Sequence, residues 1–168
     1  MRILGIDCGT QFTGYGIVES DAAGKLSAID CGAIHLQKRT AMPERLCTIF
    51  SELTTLIVRH APDVVVIEEV FHAANSRTAL LLGQARGVAL LAAAMQKITI
   101  AEYAPLAIKS AVTGYGLADK EQVRFMVMRL LQLKTPPEPL DASDALAIAI
   151  CHAHHAQTAA AQLRSPRQ

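Results

Sequence analysis

The chain has 168 residues, enough for one compact domain with a substantial core. Half of it is hydrophobic and only 18% is charged, which excludes a disordered chain. A net charge of +1 is lower than nucleic-acid binders usually carry, so the distribution of basic residues matters more than their sum. Tryptophan is absent and aromatic residues are scarce, so the core is aliphatic and alanine-rich. The apolar run after Arg2 stops at Asp7, which does not suit a signal peptide. The most apolar stretch, Thr78 to Met95, is interrupted by Gln84 and Arg86, and no membrane span is expected. Cys8, Cys31, Cys47 and Cys151 are scattered, with neither zinc spacing nor a disulfide framework, which reads as a reducing, cytoplasmic compartment.

Three strands are predicted first: Arg2–Cys8, Gly14–Ser20 after a Gly-rich turn, and Leu26–Leu36 after the turn "DAAGK". Their short connections make an antiparallel meander. Met42–His60 carries Leu46, Ile49, Phe50, Leu53, Leu56 and Ile57 at helical spacing, with Pro43 in its first turn. The uniformly apolar "VVVIEE", Val64 to Glu69, reads as a buried central strand. A long helix over Ser76–Gln96 and a short strand "ITIAEY" follow, then helices near Pro105–Val112 and Asp119–Leu133. The rigid loop "KTPPEPL" precedes a last helix, Asp141–Ala156. The order predicts an α/β fold, a mixed five-stranded sheet with helices on both faces. We take residues 1–156 as one domain and 157–168 as a frayed tail.

Four acids stand at places where they can meet. Asp7 ends the first strand, Glu68 ends the central strand, and Asp141 and Asp144 share a face at the start of the last helix. Clustered carboxylates repel one another and resist ionisation, and a divalent cation removes that difficulty. Magnesium favours such oxygen ligands, and two ions together suit phosphodiester hydrolysis. Plainer readings stand beside this one. Asp141 and Asp144 also suit a helix N-terminus, Asp7 a turn, and Glu68 with Glu69 a solvated strand end. Spacing alone does not place the first strand beside the fourth.

The segments "GIDCGTQFTGYGI", "VIEEVF", "LGQARGVAL", "YGLADKEQV" and "DASDALAIAI" occur in this order over nearly the whole chain. Together they resemble the RuvC family of Holliday-junction resolvases, bacterial endonucleases with an RNase H-like fold. That resemblance implies three antiparallel strands followed by parallel ones. It implies structure-specific cleavage of four-way DNA junctions in homologous recombination and repair, by paired symmetric nicks that leave 5′-phosphate and 3′-hydroxyl ends. The family's catalytic, metal-holding acids fall on Asp7, Glu68, Asp141 and Asp144, and its active-site lysines on Lys109 and Lys120. Phe71 matches an aromatic placed at the junction centre, where base stacking can contribute about 1–3 kcal/mol. The implied cofactor is Mg2+, two ions per site, with Mn2+ able to substitute. The implied partners are junction DNA, a second copy of the chain in a symmetric dimer, and the RuvA–RuvB branch-migration complex.

Cys8 departs from the family pattern, standing where proline is common. Between Lys97 and Lys134 the basic residues Lys97, Lys109, Lys120, Arg124, Arg129 and Lys134 outnumber Glu102, Asp119 and Glu121, which suits phosphate binding. With Phe71, Lys109 and Lys120, the candidate DNA contacts are Arg77 and Arg124. "CHAHH", Cys151 to His155, does not have convincing zinc spacing, although His152 is placed where a helix turn can approach the acids. "GQARG", Gly83 to Gly87, reads as a close helix-packing motif, on a helix with apolar surface for both core and dimer interface.

Overall fold

The computed structural model describes residues 1–69 and 75–164. The elements are β1 (Arg2–Asp7), β2 (Phe12–Ser20), β3 (Leu26–His35), α1 (Met42–His60), β4 (Val64–Glu68), α2 (Ser76–Met95), β5 (Thr99–Tyr103), α3 (Pro105–Thr113), α4 (Lys120–Leu130) and α5 (Leu140–Arg164). The strands form one sheet in the order β3-β2-β1-β4-β5. β1 runs antiparallel to β2, and β2 to β3, while β1, β4 and β5 run parallel. This is the mixed five-stranded sheet expected from the sequence, with β1 beside β4.

Strand alternation divides the core in two. Ile3, Val18, Val64 and Val66 pack against α3, α4 and α5. Leu4, Ile6, Ile17, Val65 and Ile67 face α1 and α2. β1 and β4 are buried on both faces, which is why they read as continuous apolar runs. Each such Ile or Leu contributes roughly 1.5–3 kcal/mol of burial. Helix ends follow local chemistry. α1 starts with Pro43 in its first turn and stops where Ala61 turns left-handed and donates its N–H to the Ile57 carbonyl. Asp119 and Gln122 form a reciprocal capping box that starts α4 at Lys120.

Two expectations, on the end of α5 and on the packing role of Gly83 and Gly87, need correction. α5 does not end near Ala156 but continues through Arg164. Its alanine-rich continuation favours helix, and Gln157 Nε2 donates to the Gly24 carbonyl (3.0 Å) and the Ser20 hydroxyl (3.3 Å) at the β2–β3 turn. By length and composition α2 is apolar enough to cross a membrane. Ala85, Ala89, Ala92 and Ala93 are instead buried against the sheet, and Arg86 pairs with Glu102 of β5. Gly83 and Gly87 do not serve close packing within the chain, because a Cβ on either would meet open space.

Candidate active site

The β1–β4 register aligns Ile6 with Ile67, so the next residues, Asp7 and Glu68, end adjacent strands side by side. Both continue the strand face that carries Ile3 and Val66, which is covered by α5. Glu68 lines the cleft there, whereas Glu69 has left the strand and donates its N–H to the Tyr103 carbonyl at 2.9 Å. The spacing of β1 and β4 thus assigns the cleft to the first of the two glutamates.

Glycines bring the remaining two acids in. Gly5 and Gly16 let α5 lie almost on the strand backbones: a Cβ on Gly5 would stand 2.1 Å from the Ala145 carbonyl oxygen, and one on Gly16 2.7 Å from the Leu146 nitrogen. At Gly14 a Cβ would stand 2.1 Å from the Asp141 carbonyl oxygen and 3.0 Å from its Cβ. No side chain fits at those positions while α5 stays in place. The first turn of α5 is thereby set over the end of β1, carrying Asp141 and Asp144 to Asp7. The sequence reading did not use these glycines, although Gly14 and Gly16, alternating within one strand, were a visible signal of close backbone approach.

Asp7, Glu68, Lys109, Lys120 and Asp144 line a cleft of about 140 Å³, walled by Pro105, Ile108, Val123, Ala147 and Ile148. Lys109 comes from α3 and Lys120 from the first residue of α4. Lys120 Nζ lies 3.0 Å from Asp144 Oδ2, and this hydrogen bond is the main cause holding the ammonium pKa above its ordinary value. Burial, then the charges of Asp144, Glu68 and Asp141, push the Asp7 carboxyl up to about 7, against the opposing pull of Lys120. Glu68 is raised too, first by burial and then by Asp144, with Lys120 and Lys109 acting the other way. The electrostatics therefore join all four acids in one field, although Asp141 does not line the cleft itself.

Among the described residues, no three acidic, histidine or cysteine side chains converge as a closed metal cage. Asp144 is turned towards Lys120. The donor set still fits a hard divalent ion. It consists of carboxylate oxygens whose mutual repulsion at Asp7 is only partly offset by Lys120, and magnesium needs few protein ligands because it retains water. Cys8, next to Asp7, is held protonated by burial and by the Asp7 charge, its thiol pushed up to about 12, and so presents no thiolate to the cleft.

His152 is not part of the cleft lining. Its Nδ1 lies 3.0 Å from the Tyr103 hydroxyl, and burial lowers its pKa. The His155 ring stacks on Tyr103 at 4.9 Å. Arg124 is half-buried one turn beyond Lys120 on α4, and Arg77 is exposed at the start of α2. Phe71 lies outside the described residues.

The sequence matches the family described as crossover junction endodeoxyribonuclease RuvC over residues 3–152. A RuvC of Acidobacterium capsulatum is 58% identical, covering 96% of this chain and 98% of that protein. One of Koribacter versatilis is 55% identical, covering 94% and 95%. The solved structure of Thermus thermophilus RuvC superposes with a TM-score of 0.86 at 33% identity, over 95% of this chain and 97% of that one. The same enzyme solved in complex with Holliday junction substrate also gives 0.86, at 30% identity over 94% and 96%. The fold is RNase H-like, and the chain belongs to the RuvC family of crossover junction endodeoxyribonucleases.

Proposed function

We propose that this chain resolves four-way DNA junctions by hydrolysing a phosphodiester in the cleft between β1, β4 and α5. The observation that carries the reading is the convergence at one cleft of Asp7, Glu68 and Asp144 with two lysines, where burial and then the charges of Asp144, Glu68 and Asp141 raise the Asp7 carboxyl to about 7. Such a site suits a phosphate bound through divalent cations and is costly for the protein without them. Asp7, Glu68, Asp141 and Asp144 would hold two Mg2+ ions, with Mn2+ able to replace them. When bound, such ions lower the pKa of a coordinated water and stabilise the charge on attacking and leaving oxygens.

Lys109 and Lys120 stand on the α3–α4 wall and neutralise the scissile phosphate. On this reading Lys120 gives up Asp144 when substrate and ions enter. Water attacks phosphorus, the bond to the 3′ oxygen breaks, and the proton lost by the water balances the one gained by that oxygen. The products are a 5′-phosphate and a 3′-hydroxyl. Arg124, one turn along α4, and Arg77 add phosphate contacts, and Phe71 stacks at the opened junction centre.

We further infer a symmetric dimer formed through α2. Leu80 is 69% exposed, Leu91 51% and Met95 62%, and Gly83 and Gly87 present open space on the same helix. A twofold axis there sets two clefts on opposing strands. We also infer cooperation with the RuvA–RuvB complex and a place in recombination and repair, which membership of the family supports. Four free cysteines suit work in the cytoplasm. The reading is tested with a labelled mobile junction, linear duplex as competitor, and Mg2+. Paired nicks in opposing strands support it. Equal cutting of duplex and junction would discard the junction specificity.

A further inference from the structure

We propose that Lys38 and Arg39, together with the stacked rings of Phe12 and His35, form a second DNA-binding surface that grips a duplex arm across the cleft from Lys109 and Lys120. The inference rests on the junction-cleaving reading and adds to it a surface outside the catalytic cleft.

The sheet order places this surface. β4 and β5 lead to the wall made by α3 and α4, whereas β2 and β3 lie on the other side of β1. β3 ends at His35, paired with Phe12 at the start of β2. The next residues run back along the turn that follows Asp7: the Leu36 N–H donates to the Gln11 carbonyl at 2.8 Å. Arg45 then braces loop to turn. Its Nε donates to the Thr40 carbonyl at 2.9 Å, its Nη1 to the Thr10 carbonyl at 3.2 Å, and its Nη2 to the Lys38 carbonyl. A guanidinium spread over three carbonyls fixes the backbone of residues 38–40 against the turn beside the catalytic aspartate.

Arg45 is thereby engaged, while its neighbours are not. Lys38 and Arg39 are exposed, and among the described residues neither forms an ion pair. From His35 to Arg45, Glu44 is the one acid. Glu19, Asp21 and Asp63 lie instead around Met1 and Arg2, at the far end of the sheet. Lys38 and Arg39 are thus unpaired cations at the end of the sheet that also carries the acidic cleft. The Phe12 and His35 rings lie 4.9 Å apart and 10° from parallel, both exposed, and make a flat platform beside those cations. Cations that neutralise phosphates next to an aromatic face that packs on sugar or base suit DNA, and Phe12 stands two residues before Gly14, the register partner of Asp7, on the same face of β2.

The test is salt-dependent binding of a fluorescent immobile four-way junction, measured without divalent metal. Lys38→Gln/Arg39→Gln, Phe12→Ala and the wild type are compared with Lys25→Gln, which removes one charge at the far β2–β3 turn. Two lost phosphate contacts should reduce the slope of log affinity against log salt by about 1.8. At low salt the double variant should bind roughly tenfold or more weakly, and its cleavage with Mg2+ should show a raised KM and an unchanged kcat. Phe12→Ala should weaken binding roughly fivefold or more with the slope kept. Lys25→Gln should match the wild type. An unchanged slope and affinity in the double variant would overturn the proposal and leave the catalytic reading intact. Weaker binding with an unchanged slope would also overturn it, since phosphate contacts would not have been lost. A wild type that ignores junctions would remove both readings.

Discussion

Asp7→Asn should abolish cleavage and yet stabilise the metal-free protein. In the fold the Asp7 carboxyl titrates near 7, well above the ordinary aspartate value, because it is buried among Asp144, Glu68 and Asp141. A raised carboxyl pKa means that the folded chain holds this proton more tightly than the unfolded one. Its contribution is therefore fully present below about pH 4 and is lost as pH rises to about 7. A shift of about three units corresponds to a ceiling of about 4 kcal/mol. Side-chain rotation and counter-ions relieve part of that, and we expect a gain of about 2 kcal/mol for the amide near pH 8, or roughly 4–8 °C in Tm for a chain of this size. Thermal unfolding in chelator should show little difference near pH 4, a gap opening between pH 4 and 7, and a plateau above. Millimolar Mg2+ should narrow the gap by stabilising the wild type more than the variant. A variant less stable than the wild type near pH 8, or a gap independent of pH, would refute the clustered-carboxylate account and return Asp7 to the role of a turn residue.

Gly14→Ala places a methyl group 2.1 Å from the Asp141 carbonyl, so α5 must move. We expect about 1–3 kcal/mol of destabilisation in urea and a loss of activity on the order of 100-fold with binding largely kept. Lys120→Gln removes the 3.0 Å pair with Asp144 and, on the proposed mechanism, a cation for the scissile phosphate, and the rate of single-turnover cleavage should fall by about 100-fold. The Asp7 transition, followed by NMR in the metal-free variant, should move to higher pH, because Lys120 pulls it down in the wild type. Alkylation near pH 8 should modify exposed Cys47 well before Cys8, whose thiol titrates at about 12, as peptide mapping would show.

Much of the frame was legible in the sequence for physical reasons. Doubly buried β1 and β4 read as unbroken apolar runs, and α1 declared itself through Ile49, Leu53, Leu56 and Ile57 on one face with Pro43 in its first turn. Lateral pairing was not legible, because β1 beside β4 is a contact between residues about sixty positions apart that local pattern does not encode. The same holds for the cleft. Asp7, Glu68, Asp141 and Asp144 could be marked by their places at element ends, but the device that joins them is a set of glycines. Gly5, Gly14 and Gly16 act through the side chains they lack, and local pattern gives little hint of which partner they admit. The end of α5 was misjudged because its anchor, Gln157 on the β2–β3 turn, is a tertiary contact. Arg45 looked like one more helical cation, and only the fold reveals that it ties two loops together.

The most direct test is cleavage of a labelled mobile four-way junction with Mg2+ by the wild type, Asp7→Asn and Asp144→Asn, with linear duplex in parallel. The account predicts paired nicks in opposing strands for the wild type alone, 5′-phosphate ends, and junction binding retained by both variants. Tight junction binding without nicks by the wild type, in Mg2+ and in Mn2+, would contradict it.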